Sequence, residues 1–396
     1  MKLASLALFC IIGPVCLAQT QSLFLPPVNN APAASAKFLY SSDFSGNKVD
    51  GYLVNATTGV IAPTSQGSVA AHSGPTRLTS DKGGYRLYVA NATSKDLSAY
   101  FINRNDGSLT QVPRSPFPVA GVPQGVAVHP AGHFIYVTAE NNYISAFALQ
   151  SDGSLVPVPG SPFLTQTDPR TVLVDPTGRF LYVADLTSDH IDAYTISTTD
   201  GALTPIAGEP YTPVEIVNGS NQGCSLDGAA QDLAFDGTGN YLLAPGWCDG
   251  EVAIYKIDSS TGSLSNIKSS PYIDPLNGSP FAPGLTAIAV DPQNRWAYVY
   301  ESWPDIIPDG DIATLSFSGQ PQRTNEQCGD VIRTDPSGKF VYAIGNTSGS
   351  GVCGTSAGAI LGYTVNQSNG ALTPLPGSPF PSPTSDRGSD GLVVTP

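Results

Sequence analysis

Seven polar residues recur at one position of a repeated strand pattern, and they are the first candidates for chemistry. Each stands five places before the Asp, His or Thr that ends a short apolar strand; they are Thr76, Gln124, Arg170, Gln231, Thr286, Asp330 and Asp390. The charged members are of opposite sign, so together they could hold a polar or anionic ligand, or a cation between Asp330 and Asp390. The alternative is that they are polar only because each begins a solvated strand.

A second group of side chains follows the next strand of each repeat. It comprises Asp43, Asn91, Glu140, Asp185 and Glu301, with Trp247 and Trp303 in the loops beyond. His72 and His190 border the same strand ends, and a neutral imidazole is suited to general-base work near neutral pH. The tryptophans could stack on sugar rings or simply cover the core. Glu140, His72 and His190 are therefore candidate bases, and the histidines could equally be ordinary surface residues.

Residues 168–211 show which elements would position these side chains. Four β-patterned runs, Thr171–Asp175, Phe180–Asp185, Ile191–Ile196 and Ala202–Ile206, are separated by turns rich in Gly, Pro and Asp. This pattern predicts a four-stranded meander. The aromatic-rich phrase of the second run occurs seven times in the chain, and a repeat of roughly 40–50 residues with four strands is typical of a propeller blade.

The sequence therefore predicts an all-β fold, a seven-bladed β-propeller of four-stranded antiparallel blades. The first blade has no innermost strand at its N-terminal side, whereas Asp390–Pro396 (DGLVVTP) resembles the innermost-strand segment Gln124–Pro130 (QGVAVHP). We expect the C-terminal strand to complete the first blade and close the ring, which removes open sheet edges. The ring would bring the polar strand starts to one mouth of a central channel.

Composition excludes several classes of function. The net charge is −14, and the 18 Lys and Arg residues form no cluster, so we expect no nucleic-acid partner. The 41 Gly and 35 Pro residues suit tight turns rather than long helices. We find no nucleophile-elbow, zinc-protease, P-loop or dinucleotide motif. We expect a monomer without a membrane span.

The N-terminus and the cysteines indicate an oxidising compartment. Residues 1–18 read as a signal peptide, 19–36 as a flexible linker and 37–396 as the propeller domain. The remaining cysteines are predicted to pair as Cys224–Cys248 and Cys328–Cys353, because each pair flanks two antiparallel strands whose start and end adjoin. A metal site of four thiols is the alternative, but no CxxC spacing supports it. The protein is predicted to be secreted or periplasmic.

The repeated phrases D-P-x-G-R-F-L-Y-V-A and D-G-x-L-x-P-V-P-G-S-P-F resemble those of the seven-bladed lactonase family, which includes phosphogluconolactonase and carboxymuconate cyclases. The resemblance covers Lys37 to Pro396. It implies that Arg170, after Pro169, matches the family's Pro-Arg, and that Glu140 matches the Glu of its Y-V-x-x-E phrase. The His-rich strand start of the family is absent, since the matching places read PQG, PRT and CGD.

This resemblance implies a hydrolase that opens a lactone or similar cyclic ester. A base, which could be His72, His190 or Glu140, would activate water while Arg170 stabilises the oxyanion. Gln124, Gln231, Asp330, Asp390, Asp43, Asp185, Trp247 and Trp303 would contact the ligand. No cofactor is required, although Ca²⁺ between Asp330 and Asp390 is a variant of this hypothesis. The alternative is a non-catalytic secreted propeller that binds carbohydrate or protein.

Overall fold

The computed structural model describes residues 37–186, 190–211, 232–246, 251–271, 285–301, 312–316, 322–324, 331–346, 358–381 and 391–396. Within these ranges the regular structure is entirely β, and no helix occurs. The predicted all-β propeller is confirmed. None of the described segments is a helix long and apolar enough to cross a membrane. The predicted signal peptide and linker lie outside the described residues.

The described strands form seven antiparallel sheets, numbered here in chain order. Sheet 1 contains β1 (Phe38–Asp43), β2 (Lys48–Val54) and β3 (Ile61–Ala70). Sheet 2 contains β4 (Pro75–Ser80), β5 (Arg86–Asn91), β6 (Asp96–Ile102), β7 (Leu109–Gln111) and β8 (Phe117–Pro118). Sheet 3 contains β9 (Pro123–Val128), β10 (Phe134–Ala139), β11 (Tyr143–Leu149), β12 (Leu155–Pro157) and β13 (Phe163–Leu164). Sheet 4 contains β14 (Pro169–Val174), β15 (Phe180–Asp185), β16 (His190–Ile196) and β17 (Leu203–Pro205).

The remaining sheets follow the same plan. Sheet 5 contains β18 (Ala234–Phe235), β19 (Tyr241–Pro245), β20 (Glu251–Ile257) and β21 (Leu264–Pro271). Sheet 6 contains β22 (Leu285–Val290), β23 (Trp296–Glu301), β24 (Ile312–Ser316) and β25 (Gln322–Thr324). Sheet 7 contains β26 (Val331–Thr334), β27 (Phe340–Asn346), β28 (Gly358–Val365), β29 (Leu372–Pro374) and β30 (Phe380–Pro381). The last strand, β31 (Leu392–Thr395), pairs with β1 in sheet 1.

The strand bounds follow the sequence pattern closely in sheet 4. The second strand begins and ends where predicted, while β14 begins two residues earlier than predicted, at Pro169, and β16 one residue earlier, at His190. The turn between β14 and β15 explains the D-P-x-G phrase. The Asp175 carboxylate accepts hydrogen bonds from the backbone N–H groups of Thr177, Arg179 and Phe180, and Gly178 adopts a φ of 76° that favours glycine.

Each sheet packs its aromatic second strand against the following sheet. Tyr136 of β10 is fully buried, and its hydroxyl donates a 2.9 Å hydrogen bond to the carbonyl of Gly201, in the outer turn of sheet 4. The same bond recurs from Tyr40 to Gly107, Tyr182 to Gly262, Tyr298 to Gly370 and Tyr342 to Gly59. These bonds explain why the sequence repeats both an F-L-Y phrase and a turn that ends in glycine.

The first and last described strands meet in sheet 1. β31 runs antiparallel to β1, with Phe38 opposite Thr395 and Ser41 opposite Leu392. A cluster of buried side chains that includes Leu39, Tyr342 and Leu392 packs sheet 1 against sheet 7. Residues separated by most of the chain are therefore neighbours, as the C-terminal sequence likeness predicts.

Candidate functional site

Four of the innermost strands carry a β-bulge at the predicted channel mouth. In β4 and β14 the register shifts between Pro75 and Leu78 and between Pro169 and Val172, and β9 and β22 shift at equivalent places. A bulge leaves an extra residue outside the ladder and re-aims its side chain. The bulged residues include Gln124, Arg170 and Thr286, which were singled out in the sequence by their polarity.

Arg170 joins a chain of side chains that spans sheets 3 and 4. Its Nη1 donates to Oε1 of Gln124 at 3.1 Å, and Gln124 Nε2 donates to Oε1 of Glu140 at 2.6 Å. On its other side the guanidinium pairs with Asp168, with Nε lying 3.3 Å from Oδ1. The structure thus brings together three of the sequence-predicted site residues, Arg170, Glu140 and Gln124. Glu140 is exposed, so its carboxylate can reach a bound molecule.

Backbone packing holds this chain of side chains in place. A Cβ added to Gly125 would lie 2.4 Å from the Arg170 carbonyl oxygen, so only glycine allows the two innermost strands to approach this closely. The buried Thr138 hydroxyl donates to that same carbonyl at 3.0 Å. The bulge carbonyl, which the strand ladder leaves unpaired, is therefore satisfied from the neighbouring sheet.

Asp168 occupies a strained backbone position. Its φ is 61°, whereas in sheet 2 the residue just before the strand-opening proline is Gly74, with a φ of 68°. A non-glycine residue in this region costs about 1–3 kcal/mol and is typical of functional sites. Here the strain places a carboxylate beside Arg170, which a glycine could not supply. The sequence analysis did not single out Asp168, although a residue before Pro169 that aligns with glycine was an available signal.

Buried acidic side chains lie at the same end of sheet 4. The register places Pro169 opposite Asp185 and Asp185 opposite His190. Asp185 is fully buried, and neither of its carboxylate oxygens has a hydrogen-bond partner among the described residues; the same is true of Nδ1 of His190. Burial, reinforced by the charges of Asp192, Asp168 and Glu209, raises the pKa of Asp185 to about 9. Asp185 is therefore a neutral acid at pH 7.

The remaining described candidates lie elsewhere. His72 is about half exposed, and its Nδ1 contacts Oδ2 of Asp96. The other carboxylate oxygen of Asp96, Oδ1, accepts a 2.8 Å hydrogen bond from the Asn91 side chain. This His–Asp pair lies at sheet 2, and no hydrogen bond or ion pair among the described residues joins it to Arg170. Asp43 is buried and accepts the backbone N–H of Gly46 at 2.7 Å, which is a turn contact.

Comparison with known proteins now bears on this geometry. The sequence profile of a family described as "Lactonase, 7-bladed beta-propeller" matches residues 30–217. Over these residues the chain is similar to the lactonase propellers. No protein of curated function matches its sequence.

Solved structures share the fold of this lactonase-like propeller. One is a candidate 6-phosphogluconolactonase from Bacteroides uniformis, with a TM-score of 0.72 and 18% identity, over 91% of this chain and 100% of the other. Another is the periplasmic gluconolactonase of Pseudomonas aeruginosa, with a TM-score of 0.65 and 16% identity, over 92% of this chain and 99% of the other. At these identities the likeness shows the fold alone.

Several predicted site residues of the lactonase-like propeller lie outside the described residues. They are Gln231, Asp330, Asp390, Trp247 and Trp303, together with Cys224, Cys248, Cys328 and Cys353. The calcium hypothesis and both disulfides therefore remain predictions. In the part of the chain that the structure describes, no group of three or more His, Cys, Asp or Glu side chains could hold a metal ion.

Sequence reasoning missed three charged residues of the lactonase-like propeller. Arg77, Asp232 and Arg333 line a central cavity between the innermost strands. Arg77 and Asp232 each follow directly after a position that was singled out, Thr76 and Gln231. The sequence pattern favoured the first position of each strand segment and gave no signal for the residues that follow it and line the cavity.

Proposed function

We propose that the protein is a lactonase-like hydrolase that opens a lactone or similar cyclic ester where Glu140, Gln124 and Arg170 meet. The observation that carries this proposal is the unbroken chain of hydrogen bonds from Glu140 through Gln124 to Arg170 across two sheets. The lactonase match over residues 30–217 supports the same reaction class, because both sheets lie within it.

The chemistry follows from the functional groups. Oε1 of Glu140 is occupied by Gln124, whereas the exposed carboxylate can accept a proton from water through Oε2. The oxygen of that water would attack the lactone carbonyl, and the carbonyl oxygen would become an oxyanion. The Arg170 guanidinium, held by Asp168 and Gln124, would stabilise that charge. Breaking the ring C–O bond would then leave a carboxylic acid and an alkoxide, which takes the proton from Glu140.

Geometry favours Glu140 over the two histidines as the base. His72 pairs with Asp96 in sheet 2, and His190 adjoins the buried Asp185 in sheet 4. Glu140 is the candidate base whose hydrogen bonds connect it to Arg170. A base and an electrophilic group must address the same carbonyl, so this connection is the decisive criterion.

We further infer that the seven sheets close into one ring. The support is that buried clusters pack sheet 1 against sheet 2 and sheet 7 against sheet 1, while β31 pairs with β1. We also propose export from the cytoplasm, supported by the apolar N-terminal residues 1–18. Mass spectrometry of the mature protein would test that export by locating its first residue.

Turnover of purified protein against a panel of neutral and anionic lactones, with and without chelator, tests the proposed reaction. Glu140→Gln and Arg170→Met are each expected to lower kcat/KM by roughly 10²–10³-fold, the usual loss for a catalytic base or oxyanion group. Arg179→Met is the matched control, because Arg179 is in the same sheet at the β14–β15 turn and contacts Ser259 rather than the site. It is expected to retain wild-type turnover.

Each negative result of the lactone assay rejects a specific part of the proposal. If no lactone is turned over by folded wild-type protein, the hydrolase proposal is wrong and the carbohydrate- or protein-binding alternative stands. If turnover is lost on chelation, the calcium variant at Asp330 and Asp390 gains support. Equal turnover by Glu140→Gln and wild type would remove Glu140 from the mechanism.

A further inference from the structure

The innermost strands surround a cavity with an unbalanced positive charge. Its volume is about 310 Å³, and residues from all seven sheets line it. The charged groups among the described lining residues are Arg77, Arg333 and Asp232, two guanidinium groups against one carboxylate. The whole chain carries a net charge of −14, so this positive patch runs against the overall composition.

The single carboxylate is already engaged by protein groups. Asp232 is buried, and its Oδ1 accepts from the Thr171 hydroxyl at 3.2 Å and from the N–H of Leu233 at 3.0 Å. Its Oδ2 accepts from the N–H of Ile288 at 3.2 Å. Asp232 therefore ties together the innermost segments of three sheets, and its one negative charge faces two guanidinium groups.

Neither arginine is fully compensated within the described residues. Arg333 Nη1 forms an ion pair with Asp232 Oδ2 at 3.7 Å, which is too long for a hydrogen bond, and donates to the Ile332 carbonyl at 2.8 Å. Arg77 forms no ion pair with any described acidic side chain. Burial lowers the pKa of Arg333, Asp232 opposes this effect and the nearby charge of Arg77 adds to it. Two partly buried guanidinium groups thus line one cavity, where electrostatic forces are screened less than in bulk water.

We propose that this cavity binds a small oxyanion, such as phosphate or a carboxylate, between Arg77 and Arg333. Guanidinium groups match the geometry of such anions and form charge-assisted hydrogen bonds with them. The cavity equals the liquid volume of roughly ten waters, which leaves room for one anion with its remaining hydration. Glu140, Gln124 and Arg170 do not themselves line the cavity, although Gly125 and Thr171 beside two of them do.

Calorimetric titration of the full-length mature protein with inorganic phosphate, sulfate and acetate in separate arms tests this site at constant ionic strength. Saturable binding with a stoichiometry of one is expected. A preference for phosphate or for acetate would decide between a tetrahedral anion and a carboxylate. Binding does not require turnover, so the anion site and the hydrolase proposal can fail independently.

Variants with opposite effects make the test specific. Arg77→Met and Arg333→Met are each expected to weaken binding roughly 10- to 100-fold, the value of one hydrogen bond to a charged group. Asp232→Asn removes the competing carboxylate and is expected to strengthen binding. Arg86→Met is the charge-matched control, because Arg86 pairs with Asp81 outside the cavity. It should leave the affinity unchanged.

The proposal is overturned if none of the three anions binds folded wild-type protein. It is also overturned if Arg77→Met binds as tightly as Arg86→Met, since the anion would then bind elsewhere. Arg77→Met provides this test even where Arg333→Met fails to fold, because Arg77 has no partner among the described acidic residues.

Discussion

Asp168 adopts an unfavourable backbone conformation that places its carboxylate beside Arg170. Its φ of 61° suits glycine, yet its carboxylate holds the Arg170 guanidinium from the side opposite Gln124. Relief of such strain is worth about 1–3 kcal/mol, and the added freedom of a glycine in the unfolded chain offsets roughly 0.5–1 kcal/mol of it. Stability and activity should therefore respond differently to substitution here.

We expect Asp168→Gly to lower kcat/KM on the lactone substrate roughly tenfold while the melting temperature does not fall. Arg170 would keep its bond to Gln124 but lose the carboxylate that orients it. Asp168→Asn, which restores a hydrogen-bond acceptor without the charge, should recover part of the activity. Steady-state kinetics of both variants measure kcat/KM, and thermal melts measure their melting temperatures. Full activity in Asp168→Gly would show that Arg170 needs no such positioning.

Asp185 makes stability depend on pH. In the unfolded chain an Asp releases its proton near pH 4, whereas burial keeps Asp185 protonated up to about pH 9 in the folded protein. Between these values the folded state binds the extra proton, so stability is greatest at the acidic end and is lost as the pH rises through this window. Asp185→Asn should therefore raise the melting temperature at pH 8 and change it little at pH 4.

Thermal melts from pH 4 to pH 9 measure this difference. Asp106→Asn is a suitable control, because Asp106 is exposed and hydrogen bonds from Ser108 lower the pKa of its carboxyl. That control should not gain stability at pH 8. A wild-type and Asp185→Asn pair with parallel pH profiles would contradict the neutral-acid assignment.

At the scale of elements, the β-bulges orient the site side chains, whereas the Tyr–Gly hydrogen bonds hold neighbouring sheets together. The bulges turn side chains such as Gln124 and Arg170 out of the ladder and toward the mouth. The Tyr–Gly bonds fix the second strand against the turn of the next sheet in five of the seven described sheets. Site geometry and sheet-to-sheet packing therefore rest on different residues and can be tested separately.

Tyr136→Phe should lower the free energy of unfolding by about 1–2 kcal/mol, because it leaves the buried Gly201 carbonyl without its donor. Tyr88→Phe is the matched control from sheet 2. The Tyr88 hydroxyl is buried and has no hydrogen-bond partner in the part of the chain that the structure describes, so its removal should leave the free energy of unfolding unchanged or raise it. Denaturant titrations of both variants measure the difference. Equal losses in both would mean that the bond contributes nothing beyond packing.

At the scale of the whole molecule, the C-terminal strand joins the two ends of the chain. Leu392 lies in the cluster that packs sheet 1 against sheet 7, and β31 supplies the ladder partner of β1. Without it, β1 would expose an unpaired edge and the seam between these sheets would open. This contact links residues that are 357 positions apart.

Deletion of Ser389–Pro396 is therefore expected to abolish the cooperative thermal transition. Removal of residues 19–36, the predicted linker, should leave the transition intact and serves as the control. Near-ultraviolet circular dichroism on heating distinguishes the two. A cooperative melt in the C-terminally shortened protein would refute the inferred ring closure.

The amino-acid sequence by itself determined the strands, the turns and the pairing of the two chain ends. These features depend on local patterns, such as the D-P-x-G turn at Asp175 and the apolar run at Phe180–Asp185, which neighbouring residues specify. The polarity of Gln124, Arg170 and Glu140 was likewise visible in the sequence. Their roles as site residues were inferred from family resemblance and position.

Only the tertiary structure decided which charges meet. Two neighbouring sheets bring Glu140, Gln124 and Arg170 into one hydrogen-bonded chain, and burial from all sides makes Asp185 a neutral acid. The Arg77, Asp232 and Arg333 cluster depends on segments from three sheets that meet at one cavity. Electrostatic contacts of this kind arise from packing between segments that are distant in the sequence. A short sequence pattern does not indicate which charged residue will lie opposite across the channel.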